Sequence, residues 1–350
     1  MPLPERRISI DRVDFRGALS TEEVDELASD RRVRVLQASE PAPQPTWSLL
    51  NERFFARRPD VQLRLYGHYS TPCDLMHLSA MTNVRHLATD SLQTATSVEA
   101  IGQLKRLHSL SVGICSLESF DFLANLDGSA LTELSLHATR SKRPSLRLIE
   151  RFGRLNRLYL EGQQKDIDVI RKLNDMGELT LRSVTLDSLA LLRELPKLWS
   201  LDIKLGGCSD LAALRGLENI KYLELWQIRG LDDLTPVSEM TGLQFLFLQS
   251  LKRVTHLPDF SNLTRLRRIH IENMRDLKSL APLLSAPALE EVICADASNV
   301  DPKEFEILIQ RGRVKRLAVG LGSDRKNTMV SDMMREHGVE PFKFAPFAWT

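Results

Sequence analysis

Residues 198–203 read LWSLDI, residues 220–225 IKYLEL, residues 243–248 LQFLFL and residues 266–271 LRRIHI. Each is a version of one phrase, leucine-x-x-leucine-x-leucine. The phrase recurs as LHSLSV (107–112), LTELSL (131–136) and LNRLYL (155–160), and more weakly as VRHLAT (84–89), MGELTL (176–181), LEEVIC (289–294) and VKRLAV (314–319). Its second anchor falls at Leu87, Leu110, Leu134, Leu158, Leu179, Leu201, Leu223, Leu246, Ile269, Val292 and Leu317, at gaps of 21 to 25 residues. A period that narrow predicts a stacked solenoid. Around the second anchor apolar and polar residues alternate, which predicts a short strand with one face buried. One repeat cannot bury its own leucines, so its neighbours must supply the other wall.

Between the phrases runs a second apolar pattern in steps of three: LAALRGL (211–217), LDDLTPV (231–237), LPDFSNL (257–263) and LKSLAPLL (277–284). That step suits a short helix or 3₁₀ turn. Pro236, Pro258, Pro282 and Pro302 stop longer α-helices there. The expected fold is therefore α/β: a parallel sheet on the concave side and short helices or 3₁₀ turns on the convex side.

Over about residues 60–322 the phrases resemble those of leucine-rich repeat proteins, and the outer segments resemble the bacterial internalin type. The resemblance implies a curved solenoid of about 11–12 repeats. That family usually places Asn or Cys three residues after the last leucine. Here those places hold Cys115, Thr139, Gln163, Val184, Gly206, Ile228, Leu251, Met274, Ala297 and Gly322, so less regular turns are expected.

Solenoid ends need caps. Residues 1–60 read as the N-terminal cap, residues 61–322 as the repeats and residues 323–350 as a C-terminal cap. Ser20 and Glu23 form a capping box opening a helix to about Ser29, VRVL (33–36) reads as an edge strand, and Thr46 as the cap of a second helix through Arg57. A last helix is expected from about Ser323 to His337, stopped by Gly338. The tail beyond it carries Phe342, Phe344, Phe347 and Trp349. These rings are expected to cover the last repeat, or else to dock into another chain.

The 350 residues carry a net charge of +1, which gives no global argument for nucleic acid or an acidic membrane. No run of about 18 apolar residues predicts a membrane span. The four cysteines are far apart, and the first residues lack a signal-peptide pattern, so a cytoplasmic, reducing setting is expected. No cofactor or metal site is indicated, and a monomer without enzymatic activity is expected. Cys294-Ala295-Asp296 resembles the triplet of bacterial leucine-rich repeat ubiquitin ligases, but it lies inside a repeat strand rather than in a separate domain.

Strand alternation assigns the side chains of the concave face. Most are polar or small; Tyr222, Trp226, Phe245 and Phe247, from two consecutive repeats, are not. Only 6% of the chain is aromatic, so a four-ring cluster marks a candidate protein-binding anchor. Tyr159 lies on the same face further up the chain, and Asp202, Lys204, Glu224, Arg268, His270, Glu272 and Glu291 supply a charged rim. A one-residue slip would turn the phenylalanines of LQFLFL inward. A second feature is basic: Arg140, Lys142, Arg143, Arg147, Arg151, Arg154 and Arg157, opposed within the stretch by Glu150 alone. It reads as a solvated outer face, with an RNA or anionic-surface binder as the alternative. No aromatic residues are interleaved for base stacking, so nucleic acid is not the expected partner. The expected function is protein binding on the concave face, as an inhibitor or immunity-type protein or as an effector scaffold.

Overall fold

The structure, a computed structural model, describes residues 7–141, 144–310 and 313–350. The chain divides into two units, residues 1–176 and 177–350.

In the first unit the sheet begins with an antiparallel pair, β1 (Arg7–Ser9) and β2 (Arg12–Asp14). From β2 onward neighbours are parallel: β3 (Val35–Ala38), β4 (Gln62–Gly67), β6 (His86–Leu92), β8 (Ser109–Ile114), β9 (Glu133–Leu136) and β10 (Arg157–Glu161). Two short strands, β5 (Cys73–Asp74) and β7 (Ala95–Thr96), pair separately. The expected edge strand at Val33 therefore starts two residues later and is interior to the sheet. Ser20 caps α1 (Thr21–Ser29), and the reciprocal bond from Glu23 completes the box. The second helix, α2 (Gln44–Leu49), starts earlier than Thr46 and runs into a π-helical turn, Leu50–Phe55. Thr46 is no cap: its buried hydroxyl accepts from the Leu19 amide at 3.3 Å and ties the helix to the preceding loop.

Among its described residues the second unit holds eight parallel strands: β11 (Glu178–Arg182), β12 (Ser200–Lys204), β13 (Tyr222–Trp226), β14 (Phe245–Gln249), β15 (Arg268–Glu272), β16 (Glu291–Ala295), β17 (Arg316–Val319) and β18 (Glu340–Pro341). Leu201, Leu223, Leu246 and Ile269 stand in register, as do Ile203, Leu225, Leu248 and Ile271. All eight are buried. The slipped register is thereby excluded. On the outer side 3₁₀ turns occupy Ala190–Glu194, Ala212–Leu214, Thr235–Glu239 and Ala281–Ser285, the last two with Pro236 and Pro282 in the first turn. LPDFSNL departs from expectation and forms no helix. There Asp259 folds back on the Ser261 amide at 2.8 Å, and the Phe260 amide is taken by Ser285 Oγ at 2.8 Å, so the backbone is spent elsewhere.

Two recurring devices replace the absent Asn ladder. The residue after each strand of β11 to β16 has a positive φ: Ser183, Leu205, Gln227, Ser250, Asn273 and Asp296. This turns the chain out of the sheet in one step. Two residues ahead of the outer turns, Ser188, Asp210, Asp233, Ser279 and Asp301 each accept a main-chain N–H at 2.7–3.1 Å, a local turn these residue types favour. At the ladder position itself, a Cβ on Gly206 would stand 2.2 Å from the Val184 carbonyl, so a side chain has no room. In the first unit Gln163 does make a ladder-like bond, donating to the His137 carbonyl at 2.8 Å.

After α3 (Lys303–Gln310) and β17, Ser323 caps α4 (Asp324–Glu336), and Gly338 follows at φ 69°. The chain then adds β18 alongside β17, a strand the sequence reading lacks. Among the described residues no helix is long and apolar enough to cross a membrane.

Leu246→Ala should lower stability by about 2–5 kcal/mol, because the strand leaves no room to collapse onto the cavity. Leu205→Asn should raise stability by about 0.5–1 kcal/mol, because Asn tolerates the left-handed backbone better than Leu. Urea unfolding of both variants checks the pair; a loss at position 205 comparable to that at position 246 would refute the turn argument.

Candidate functional site

The candidate site lies on the open face of β12 to β16. The register sets Ser200, Tyr222, Phe245, Arg268 and Glu291 in one row. Asp202, Glu224, Phe247 and His270 form the next row, and Lys204, Trp226, Gln249 and Glu272 the third. The four rings face the side opposite the buried leucines and are each half-buried. Tyr222 meets Phe245 edge-on at 5.1 Å. Phe247 stacks on His270 at 4.2 Å, nearly parallel. Trp226 lies under the Arg182 guanidinium at 5.4 Å. Tyr159 belongs to the first unit, where its hydroxyl donates to Glu161 at 3.2 Å and its ring lies 5.0 Å from His137.

The charged residues are not all a rim. Glu224 and Arg268 are each 7% exposed and Glu291 is buried too. Arg268 pairs with Glu291, whose other oxygen takes Arg316 Nε at 2.6 Å. Burial alone would raise the Glu291 carboxyl, but the two arginines outweigh it and hold it below its ordinary value. Glu224 accepts from the Tyr222 hydroxyl at 2.8 Å and sits 3.0 Å from Lys204 Nζ. Asp202 accepts from Thr180 Oγ1 at 3.0 Å and lies 3.6 Å from Lys204 Nζ. Burial first, then the adjoining Glu224 carboxyl, push Asp202 up to about 7 against the pull of Lys204. Burial also raises the Tyr222 phenol and lowers the His270 imidazole. His270 Nε2 stands 3.3 Å from Glu272 without hydrogen-bond geometry, and its ring stacks on Phe247.

The C-terminal tail neither stops at the last repeat nor projects away. It runs back along the strand starts. Phe342 lies under Arg268 at 4.8 Å. Phe347 packs on Phe245 at 5.6 Å and under Arg267 at 4.8 Å. Trp349 meets Trp199 at 5.2 Å and Tyr222 at 6.1 Å. Three residues of this contact, Trp199, Gln244 and Arg267, were not among the residues singled out from sequence. Each stands just before or at the start of its strand, outside the alternation that marks the open face. The sequence signal for them was the unusual Trp at one such position.

The basic stretch is divided. Arg147 and Arg151 lie on a 3₁₀ turn (Arg147–Arg151). Arg151 donates to the Ala124 carbonyl and Arg154 to the Ser129 carbonyl. Arg157 sits on β10 and pairs with Glu133 at 3.4 Å, so it is a sheet-face residue rather than a member of the outer run. Arg140 is exposed; Lys142 and Arg143 lie outside the described residues. Among the described residues no group of acidic, His and Cys side chains could hold a metal ion. Cys294 is buried within β16, and its thiol is pushed up to about 12, which is wrong for a nucleophile.

The pH dependence follows from Asp202. The folded chain keeps its proton between the ordinary value of 3.8 and about 7, a window in which the unfolded chain has released it. This residue's contribution to stability therefore falls as pH rises through that window. Asp202→Asn should gain in melting temperature over the parent progressively from pH 4 to pH 7 and level off above. A difference independent of pH would refute the assignment.

No protein-family model matches the chain, and no curated protein matches its sequence. Among solved structures, an internalin of Listeria monocytogenes aligns over 97% of this chain and 88% of its own, at 16% identity and a TM-score of 0.55. A leucine-rich repeat protein of Leptospira interrogans aligns over 95% and 90%, at 17% identity and a TM-score of 0.51. With the stacked strands, outer 3₁₀ turns and buried leucine rows, these likenesses establish that the chain has the leucine-rich repeat fold of the internalin type.

Proposed function

We propose that this chain is a non-enzymatic protein-binding module whose partner sits on the open face of the second unit. The observation that carries the reading is the pair of aromatic contacts left outside the tail's reach: Phe247 stacked on His270, and Trp226 beneath Arg182. Trp226 stands beside Lys204 and His270 beside Glu272, both charges half-buried. Large rings flanked by charge are what binding hot spots are made of. Arg268 and Glu291 are buried, and with the half-buried Arg316 and the rings of Phe342 and Phe347 they hold the sheet and the tail together. A cytoplasmic, monomeric protein acting as an inhibitor, immunity-type protein or scaffold fits this reading. The solved leucine-rich repeat structures add the fold and no partner. An RNA-binding role finds less support: Arg151 and Arg154 are engaged with main-chain carbonyls and Arg157 with Glu133.

The test is affinity capture with the parent and with the Phe247→Ala, Trp226→Ala double variant, followed by titration of the captured protein. Loss of two hot-spot rings should weaken binding by about 30-fold or more. A correctly folded double variant that captures the same partner with unchanged affinity would overturn the proposal.

A further inference from the structure

We propose that the strip formed by Trp199, Tyr222, Gln244 and Phe245 is a peptide-binding groove. Residues Phe347–Thr350 fill it in cis. Its partner in trans is an extended segment of another protein carrying two rings at alternate positions.

The tail is held in the manner of a bound peptide rather than a packed terminus. Phe347 and Trp349 turn their rings onto the strip, while Ala348 between them is exposed, the alternation of an extended strand. The main chain is gripped independently of sequence. Gln244 accepts from the Thr350 amide at 3.0 Å and donates to the Thr350 main-chain oxygen at 2.6 Å. Lys221 Nζ donates to that same oxygen at 2.9 Å, and Arg267 donates to the Ala348 carbonyl. A side-chain amide that reads both a donor and an acceptor of one residue acts as a strand edge would. Strand-like main-chain bonds combined with side-chain pockets are a general mode of peptide recognition.

Gln244 has no exposed surface at all. Its amide is committed to the tail and, through Arg267 at 3.4 Å, to one flank of the strip. Removing the tail takes away those bonds, and water or another peptide must replace them. Outside these contacts the tail is open to solvent. Trp349 remains 39% exposed and Phe344 88% exposed, and Lys343, Ala345 and Pro346 are exposed as well. Residues 343–346, between Phe342 and the rings, thus have little to release. A tethered ligand of this kind works at an effective concentration on the order of 1 mM, high enough to exclude weak ligands and low enough to yield to a good one. The strip is distinct from the Phe247 and Trp226 surface, so the inference does not rest on the proposed function.

The test uses the full chain and a fluorescent peptide of residues 341–350. In the Phe347→Ala, Trp349→Ala variant the groove is open, and the peptide should bind at least tenfold more tightly than to the parent. Adding Trp199→Ala and Gln244→Ala to the open variant should return binding to the parent level. A peptide with its last two rings made adjacent should bind the open variant several-fold more weakly. Because Gln244 is buried and its loss could unfold the strip, a second measurement needs no substitution. The Thr350 amide of the parent should be protected from hydrogen exchange, and millimolar unlabelled peptide should remove that protection. Equal binding to parent and open chains, a Thr350 amide that exchanges freely without peptide, or indifference to ring spacing would each overturn the proposal. A parent dimer that disappears in the Trp349→Ala variant would assign the groove to a second copy's tail and overturn the partner in trans. Peptide binding unchanged by Phe247→Ala, Trp226→Ala would keep this result separate from the fate of the proposed function.

Discussion

A strand of five residues can hide only every second side chain, and here the hidden ones are the leucines. In the second unit, Leu246 and Leu248 meet Leu223 and Leu225 on one side and Ile269 and Ile271 on the other. No row is complete without its neighbours. Burial of large aliphatic side chains contributes about 1.5–3 kcal/mol each, and in this architecture that contribution exists only between repeats. The remaining features of the unit follow from keeping those rows aligned. The chain must leave each strand abruptly, cross the outer side in a short turn, and return at the same height.

The abrupt exit is why one residue after each strand adopts a left-handed backbone. It falls on Ser, Asn, Asp and Gln, and once on Leu205, where the conformation is least favourable. The outer crossing is held by Ser or Asp hydroxyls and carboxylates bonding two residues ahead. These local bonds take over the role that an interior Asn has in related repeats, and they leave the former ladder places free for Val184, Ile228 and Leu251, all buried. The polar turn has in effect moved from the interior to the surface.

The rows and the identity of the open-face side chains were legible in the sequence because period two fixes both at once: knowing that Leu246 is buried fixes Phe245 and Phe247 on the opposite side. What period two does not report is depth. Glu224, Arg268 and Glu291 sit at open-face positions and are buried all the same, because their neighbours and the tail close over them. Periodicity is equally silent about segments outside the repeats. The pair β1 and β2 is a short hairpin with no leucine phrase to mark it, and the strand β18 and the path of the tail depend on long-range contacts with no local pattern. Thr46 looked like a helix cap by type, yet its hydroxyl is used by Leu19. LPDFSNL carried the right apolar steps, but Asp259 and Ser285 claimed the amides a helix needs.

The chain has four tryptophans, and their placement gives it an intrinsic optical readout. Trp47 is sealed in the first unit, stacked on His77 at 3.8 Å. Burial lowers that imidazole to about 4, so the ring beside Trp47 stays uncharged near neutral pH and its emission serves as a steady internal reference. Trp199, Trp226 and Trp349 all lie in the second unit, and Trp349, carried by the tail, meets Trp199 directly. Ultraviolet excitation of the unlabelled protein therefore follows the position of its last four residues, and a red shift in emission marks their departure.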